Sequence, residues 1–432
     1  MAVVRPFQGI VYDPQRVDPA RVVAPPYDVI TPNDRVHYYA RDPRNVVRLI
    51  AGEVTPTDDA ANNKYTRAAA FFGRWFDEGV LRREPDPCVY VYRQHFEDPA
   101  DGRRRSRTGV LAVVRLERFG EGVFPHERTH ARPKADQTSL THAVDANLSP
   151  VFSLFTDPDH RVRALTREVE QGVPWLGITT EERERHEIWR VHDRARLRAL
   201  ARALEPSPLF IADGHHRYET ALRYRDRQRR EHPQAPPEAA FNFVLTLLVD
   251  ATDPDLRILP THRLLRDLSG FDPGRLLDWL ARVHAAVRVP DRQAFLKALQ
   301  EPVAAHRLGV ALPDGGLLIV DLPRQPQVDP VAALDVSVLH RTILEPELGI
   351  HEGVLESERH LAYTRDPLLA LDEVEGGRAQ AAFLLRAPEV ADVLAVARAG
   401  SMMPQKSTYF YPKPLSGIVF NPLDPQTRIE AA

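Results

Sequence analysis

The stretch LFIADGHHRYETAL, residues 209–222, decides the fold of the central part of this chain. Its first four residues are apolar and predict a short buried strand, which Asp213 and Gly214 interrupt. Beyond Gly214 the apolar residues recur at helical spacing, so we predict that the strand turns directly into a helix. The first backbone N–H groups of such a helix have no intrahelical acceptor and attract anions. We therefore expect an anion site at this turn.

The side chains at the turn favour phosphate as the anion. Gly214 permits close backbone approach, and the planar fork of Arg217 suits phosphate or carboxylate. We predict that Asp213, Gly214, His216 and Arg217 bind a phosphate-bearing ligand, because loops held by rigid elements often carry function. The alternative is an ordinary surface turn whose histidine and arginine side chains are only solvated.

The bulk composition is that of an ordinary globular protein. The chain has 432 residues, enough for two or three domains, and its 43% hydrophobic and 27% charged residues allow a sizeable core. Its 57 basic and 60 acidic residues leave a formal net charge of −3. Since no global basic field exists to attract nucleic acid, we do not expect a nucleic-acid partner.

Cysteine content and hydropathy indicate the compartment. The single cysteine, Cys88, excludes an internal disulfide and a metal cluster built from cysteines, and it fits a reducing cytosol. The first residues show no charged region followed by an apolar stretch, and no apolar run approaches the ~20 residues that cross a bilayer. We expect a cytoplasmic protein without a membrane partner. The sequence does not indicate the oligomeric state.

Strand and helix patterns alternate along the whole chain. Strands are predicted at 89–92, 108–114, 151–155, 209–212, 241–250 and 308–321, and helices at 60–82, 194–204, 273–284 and 293–300. This mixture predicts an α/β fold of the mixed α+β kind. We divide it into an N-terminal α/β region (1–118), a phosphate-binding core (119–265) and a C-terminal α/β region (266–432).

Residues 126–130 read HERTH and match the His-Glu-x-x-His pattern of zinc proteases. That pattern needs a helix, since positions i and i+4 then place both imidazoles on one metal with glutamate as base. Prolines on both sides leave room for two helical turns at most. Three interpretations stay open: a zinc site through His126 and His130, a carboxylate at Glu127 that acts as base or holds Mg²⁺, and a chance match among 17 histidines.

A cation stands beside two hydroxyl groups near the end of the chain, at Lys406, Ser407 and Thr408. Such a group can hold phosphate or a small acceptor molecule. The alternative is a strand edge whose lysine is solvated, as most surface charges are.

Two further segments are candidates for a pocket wall. Tyr27 and Asp28 follow two prolines that stiffen the chain, and His262 and Arg263 lie beyond the apolar run 241–250, where α/β folds place ligand-binding groups. We expect all four residues to contact the substrate, and simple loops are the alternative for both segments.

Taken together, these segments resemble the family called domain of unknown function 1015 over nearly the whole chain. The motifs that carry the resemblance are RPF (5–7), APPYDVI (24–30), PHERT (125–129), DGHHRYETAL (213–222), PTHR (260–263) and MPQKSTYFYPK (403–413). This resemblance supplies a family without an established activity.

The core motifs also resemble those of the ParB/sulfiredoxin superfamily, which includes partition proteins, sulfiredoxins and free-serine kinases. The resemblance implies a ParB/sulfiredoxin-like core in which Gly214, His216 and Arg217 hold nucleotide phosphates. It further implies that Glu127 is the catalytic base and that the segment 406–408 binds substrate.

These observations lead us to predict a nucleotide-dependent phosphotransferase that acts on a small hydroxylated metabolite, with free serine as the best guess. We expect ATP or ADP as phosphate donor and Mg²⁺ held by Asp213 or Glu127. Glu127 would accept the proton of the acceptor hydroxyl, and His215 or His216 would stabilise charge on the transferred group.

Two other functions remain as alternatives. One is a non-catalytic regulator of the partition-protein type that binds nucleotide or DNA. The other is a zinc hydrolase that uses His126 and His130.

Overall fold

The computed structural model describes residues 2–129, 131–324, 329–351 and 360–431. Its strands are β1 (Val4–Arg5), β2 (Ile10–Tyr12), β3 (Leu81–Arg83), β4 (Val89–Glu97), β5 (Arg104–Arg115), β6 (Val123–Phe124), β7 (Ala146–Asn147), β8 (Val151–Phe155), β9 (Leu176–Thr179), β10 (Arg185–Val191), β11 (Leu209–Asp213), β12 (Phe243–Asp250), β13 (Arg257–Ile258), β14 (His262–Leu265), β15 (Ala285–Arg288), β16 (Ala305–Leu312), β17 (Gly316–Pro323), β18 (Leu361–Thr364), β19 (Ala381–Leu384), β20 (Phe410–Tyr411) and β21 (Asn421–Pro422).

Helices alternate with these strands, which confirms the predicted mixed α/β fold class. They are α1 (Pro19–Val22), α2 (Pro32–Arg41), α3 (Val47–Ile50), α4 (Lys64–Asp77), α5 (Ala131–Val144), α6 (Arg161–Glu170), α7 (Arg194–Leu204), α8 (His215–Glu231), α9 (Pro273–Val283), α10 (Arg292–Gln300), α11 (Asp335–Leu339), α12 (Glu345–Leu348), α13 (Pro367–Glu375) and α14 (Val390–Arg398). Short 3-10 turns lie at Tyr27–Val29, Ala240–Asn242 and Pro313–Gly315, and a π-helical turn lies at His340–Leu344.

The chain folds into two compact units. The first unit consists of Met1–Arg257 and Pro412–Ala432, and the second consists of Ile258–Tyr411. Strands β4 and β5, which precede residue 119, belong to the same sheet as β8, β11 and β12. The division into three regions at 118 and 265 stays a prediction.

The first unit is built around a large mixed sheet with the order β6-β11-β8-β12-β5-β4-β10-β9, in which β1 also pairs with β5. Strand β12 contributes the sequence FVLTLLVD, and every residue except the terminal aspartate is buried. Such a continuous apolar run fits a strand that is covered on both faces, as the sequence predicts.

Strand direction determines which residues share an edge of this sheet. Strand β6 runs parallel to β11, with Phe124 opposite Phe210, so the chain that leaves β6 continues beside the end of β11. Strand β8 runs antiparallel to β11 and parallel to β12. Consequently β11 ends at one edge of the sheet, whereas β8 and β12 end at the opposite edge.

Helix α8 packs against the sheet immediately after β11. Its Tyr218 and Ala221 are buried in one hydrophobic cluster with Ile211 of β11 and Val151 of β8. Burial of these side chains fixes the first turn of α8 against the strands, because apolar area removed from water contributes roughly 25 cal/mol per Å². The start of α8 is therefore held by a rigid framework.

The second unit contains a six-stranded sheet with the order β15-β17-β16-β19-β14-β18, and its recorded pairings are antiparallel. Phe295 of α10 and Leu371 of α13 pack with Leu264 of β14 in a core of this unit. Among the helices that the structure describes, none combines the length and the apolar character needed to cross a membrane.

Candidate functional site

The predicted turn from strand to helix lies between β11 and α8. Gly214 has φ of 90°, in the left-handed region, and no side chain caps the N-terminus of α8. An added Cβ at Gly214 would lie 2.9 Å from Nε of Arg217, so the turn requires glycine for both its φ and its contact. The first N–H groups of a 17-residue helix are thus left without a side-chain acceptor at this turn.

Asp213 lies between two cations at this turn. Its two carboxylate oxygens accept hydrogen bonds from Nη2 of Arg217 and from Nζ of Lys413. All three side chains are at most 10% exposed. Burial alone would raise the pKa of Asp213, but the charges of Lys413 and Arg217 outweigh it and lower the pKa to about 2.

Arg217 also fixes the neighbouring backbone, since its Nη1 donates to the carbonyl oxygen of Pro150. This bond ties the start of α8 to the residue that precedes β8. Arg217 therefore has two roles in the geometry: it positions the turn and it keeps a positive charge inside the site.

Three buried side chains hold the segment that carries Lys413. Nη2 of Arg107 donates to the carbonyl oxygen of Pro412 at 2.6 Å, and Nε2 of Gln94 donates to that of Lys413 at 3.2 Å. The hydroxyl of Tyr92 accepts from the backbone N–H of Leu415 at 3.4 Å. We call these three residues of β4 and β5 the clamp.

The predicted wall at Tyr27 and Asp28 also approaches this turn. Residues Ala24 and Ser416 exchange backbone hydrogen bonds of 3.3 and 2.8 Å, which places the segment before Tyr27 beside the segment that carries Lys413. Asp28 is accessible to solvent, yet the surrounding protein desolvates its carboxyl and the charge of Asp213 repels it, so its pKa is raised. The charge of Asp213 acts on Asp28, so the predicted wall lies near the turn.

His126 and His215 form a buried pair beside the turn. Their ring centroids lie 4.6 Å apart and the ring planes meet at 86°. Nδ1–H of His126 donates to the carbonyl oxygen of Ile211 at 2.8 Å. The backbone N–H of His126 donates to Nε2 of His215 at 3.3 Å. Burial lowers the pKa of His126 to about 4 and holds that of His215 well below its usual value, so both imidazoles are neutral near pH 7. Because Nε2 of His215 accepts, its proton resides on Nδ1.

Glu127 faces that proton. Its Oε2 lies 3.9 Å from Nδ1 of His215, and its side chain is 34% exposed. The parallel course of β6 and β11 explains this placement, because the chain after β6 runs along the end of β11. Although they are 86 positions apart in the sequence, Glu127 and Asp213 lie at the same sheet edge. His216 is half-buried in the first turn of α8.

The zinc-protease pattern does not have its required helix in the described part. Residues 125–129 are irregular, α5 begins at Ala131, and Nδ1 of His126 is bonded to backbone. His130 lies outside the described residues. Within the described part of the chain, no group of three or more His, Cys, Asp or Glu side chains could hold a metal ion.

Five predicted substrate residues lie in the second unit. His262 and Arg263 begin strand β14 and are buried, and Nη2 of Arg263 donates to the carbonyl oxygen of Lys406 at 3.3 Å. Nζ of Lys406 lies 4.5 Å from the centroid of the Tyr363 ring. Ser407 donates to the carbonyl oxygen of Pro404 at 2.5 Å, and Thr408 follows it. These residues and the Asp213 turn belong to different units.

Sequence analysis missed the lysine that contacts Asp213. It selected Lys406 because two hydroxyl residues follow it, whereas Lys413 ends the same motif and follows only a proline. The adjacent aromatic and proline residues were the available signal, since they indicate a stiff segment that can present one side chain. Pairing with Asp213, 200 residues earlier, is a tertiary contact that spacing cannot reveal.

The chain belongs to the family described as a protein of unknown function (DUF1015), which it matches over residues 4–337. The family assignment that the motifs suggested is thereby confirmed. No curated protein matches the chain.

Several solved structures are similar to this chain at low scores. One is a free serine kinase in complex with AMP, with 13% identity and a TM-score of 0.33 over 69% of this chain and 86% of that chain. Another is a mutant of free serine kinase in complex with ADP, with 12% identity and a TM-score of 0.34 over 69% of this chain and 87% of that chain. A third is SbnI with C-terminal truncation from Staphylococcus aureus (11%, 0.33, 72% and 87%). With TM-scores this low, the argument about function rests on the site itself.

Proposed function

We propose that this chain is a nucleotide-dependent phosphotransferase that acts on a small hydroxylated metabolite. The observation that carries the proposal is the turn between β11 and α8, where a helix N-terminus without a side-chain cap, Arg217 and Lys413 lie together at Asp213. A helix N-terminus without a side-chain cap, the helix dipole and two fixed cations together suit the phosphates of a nucleotide. The chain contains no Gly-x-x-x-x-Gly-Lys-Ser/Thr motif, so this cradle would differ from a P-loop.

The carboxylates at the turn suit Mg²⁺. A protein usually binds Mg²⁺ through one or two carboxylates together with phosphate oxygens, and either Asp213 or Glu127 would supply a carboxylate at this edge. The low pKa of Asp213 keeps it ionised at neutral pH. A bound Mg²⁺ would neutralise charge on the phosphates.

In the proposed reaction the acceptor hydroxyl attacks the terminal phosphorus in line with the leaving group. A new oxygen–phosphorus bond forms, the bond to the bridging oxygen breaks, and the shortened nucleotide leaves with that electron pair. Glu127 takes the proton from the hydroxyl. His215, held neutral with its proton on Nδ1, and His216 donate toward charge on the transferred group.

Adenine nucleotides and free serine are the first ligands to test. The resemblance of motifs 126–127 and 213–217 to those of free-serine kinases suggests them, and the Lys406–Thr408 segment with His262 and Arg263 is the proposed substrate-binding group. We infer that the protein acts in the cytoplasm on a diffusible metabolite.

Calorimetric titration of the full chain with ATP and ADP tests nucleotide binding. We expect Lys413→Ala and Arg217→Ala each to weaken nucleotide binding at least tenfold, because each removes a fixed cation. Lys297→Ala is the matched control, since it removes an exposed lysine of the second unit. Wild-type protein that binds neither nucleotide, or variants that bind as tightly as wild type, would contradict the proposal.

Phosphate transfer is tested separately, by mass spectrometry of L-serine incubated with the chain, nucleotide and Mg²⁺. We expect O-phosphoserine to form with wild type and to fall at least a hundredfold with Glu127→Gln, while nucleotide affinity stays within threefold. Undiminished transfer with Glu127→Gln would exclude Glu127 as the base.

A further inference from the structure

The first unit also contains a cavity at the edge of the sheet opposite Asp213. It occupies about 170 Å³ where β8 and β12 end, and the last residues of these strands, Phe155 and Asp250, are paired neighbours. Ligands of α/β sheets bind in the crevice beyond the carboxyl ends of parallel strands. The cavity therefore lies where the topology places binding sites, and it shares no lining residue with the turn at Asp213.

One wall of this cavity carries two arginines without carboxylate partners. Arg163 and Arg167 are one turn apart on α6, so their positive charges repel each other. The ion pairs of α6 join Arg161 to Asp159 and Glu170 to Arg93. In the described part of the chain, neither Arg163 nor Arg167 forms one. Two adjacent guanidinium groups of this kind suit a carboxylate or phosphate.

Another part of the lining is acidic and comes from the end of β12 and the loop after it. Asp250 accepts from the backbone and the hydroxyl of Thr252, whereas Asp253 accepts one backbone N–H, that of Asp255, at 2.9 Å. Burial raises the pKa of Asp253, although the charges of Arg107 and Arg163 act in the opposite direction. This wall suits a cationic group on a ligand.

Another charged pair in the lining, Glu170 and Arg93, is compensated within the protein. Glu170 is held by Arg93 at 2.5 Å and by Thr108 at 2.6 Å, so these charges compensate each other. Apolar side chains, among them Val162 and Leu248, line part of the cavity. The volume is well below the roughly 300 Å³ at which pockets take drug-sized ligands, and it suits a molecule the size of an amino acid.

From the arginine pair, the acidic loop, the volume and the position at the strand ends, we propose that this cavity binds a zwitterionic α-amino acid. Its carboxylate would contact Arg163 and Arg167, and its ammonium group would contact Asp253. The inference is independent of the proposed phosphotransferase function, because it uses another edge of the sheet and other residues.

Thermal-shift measurements on the full chain with the standard α-amino acids, followed by calorimetry, test this site. We expect at least one amino acid to raise the melting temperature and to bind at least tenfold more tightly than ethanolamine, glycolate or inorganic phosphate. Arg163→Gln, Arg167→Gln and Asp253→Asn should each weaken that binding at least tenfold. Arg161→Gln and Asp159→Asn, exposed neighbours outside the cavity, should leave it within twofold.

Arg217→Ala separates this site from an acceptor site at the Asp213 turn. We expect amino-acid binding to be unchanged in Arg217→Ala, because Arg217 lies at the opposite edge of the sheet from this cavity. The proposal is overturned if no amino acid binds, if phosphate binds more tightly than every amino acid, or if binding is lost in Arg217→Ala and retained in Arg163→Gln. Arg167 is exposed, so its variant remains informative if Arg163→Gln folds poorly.

Discussion

At the scale of single residues, Gly214 shows how a backbone requirement and a side-chain contact coincide. Its φ of 90° disfavours any L side chain, and a Cβ would also approach the guanidinium of Arg217 to within 2.9 Å. Asp213 and Pro150 hold that guanidinium from the other side. Sequence analysis recognised the glycine as a break, and only the structure reveals that it also makes room for Arg217.

We predict that Gly214→Ala lowers the free energy of unfolding by roughly 1–3 kcal/mol through backbone strain. It should also weaken nucleotide binding at least tenfold, because the added methyl group displaces Arg217. Urea denaturation and calorimetric titration measure the two effects.

Gly120→Ala is the matched control for this change. Gly120 has a similar φ of 88°, but an added Cβ would meet nothing within 4 Å. It should lose comparable stability and keep its nucleotide affinity. Equal affinity in the Gly214 and Gly120 variants would argue against a role for the turn in binding.

At the scale of elements, the sequence predicted much of the framework. Strand β8 matches its predicted bounds, 151–155, and α7 matches 194–204, because each has a compact apolar pattern with clear ends. Asp193 caps α7 by accepting from the backbone N–H of Arg196, which fixes that boundary locally. In contrast, the sequence did not predict the strand β14 that begins at His262 and Arg263, since its pairing with β18 and β19 depends on distant residues.

The clamp of Tyr92, Gln94 and Arg107 gives the element-scale prediction. Tyr92→Phe removes the hydroxyl that accepts from Leu415 and that bonds with Nδ1 of His186 at 2.8 Å. We expect a loss of about 1–3 kcal/mol in unfolding free energy, because buried polar groups lose their partners. Amide hydrogen exchange of residues 413–416 should accelerate at least fivefold.

Tyr39→Phe serves as the control for the clamp. The hydroxyl of Tyr39 also accepts a backbone N–H, that of Glu53 at 3.0 Å, but it does not contact the segment 413–416. Exchange in that segment should therefore match wild type. If Tyr92→Phe leaves exchange at 413–416 unaltered, the clamp does not hold Lys413 in place.

At the scale of the whole molecule, buried histidines in both units link stability to pH. Burial lowers the pKa of His126 in the first unit and of His262 in the second to about 4, from about 6.5 in an unfolded chain. Because the unfolded chain then binds more protons between pH 6.5 and 4, acidification favours unfolding. Their full contribution is present above pH 6.5 and is lost as the pH falls through 4.

We predict that the unfolding free energy falls steeply from pH 6.5 to 4.5, by about 1.4 kcal/mol per pH unit for each such imidazole. His126→Asn, which keeps a donor toward Ile211, should reduce the slope by one such contribution. Denaturant titrations at four pH values measure it.

The carboxyl of Asp213 affects stability at a lower pH than these histidines do. Asp213, with a pKa of about 2, contributes stability above pH 3.8 that is lost as the pH falls through 2, so it does not alter the slope between pH 6.5 and 4.5. A slope that is identical in wild type and His126→Asn would show that His126 is not the titrating group.

The sequence by itself determined the mixed α/β class, the family and the turn at residues 213–217. These features are local, since apolar periodicity, one glycine and a charged motif lie within a few residues of each other. The sequence also singled out Glu127 and Asp28, both of which lie in the first unit with that turn.

Only the tertiary structure decided which charges meet. The parallel course of β6 and β11 brings Glu127 to the Asp213 edge, and the clamp presents Lys413 there, while Lys406 belongs to the second unit. The cavity between Arg163 and Asp253 likewise depends on two strands that end side by side. Strand pairing joins residues far apart in the chain, and no local pattern records it.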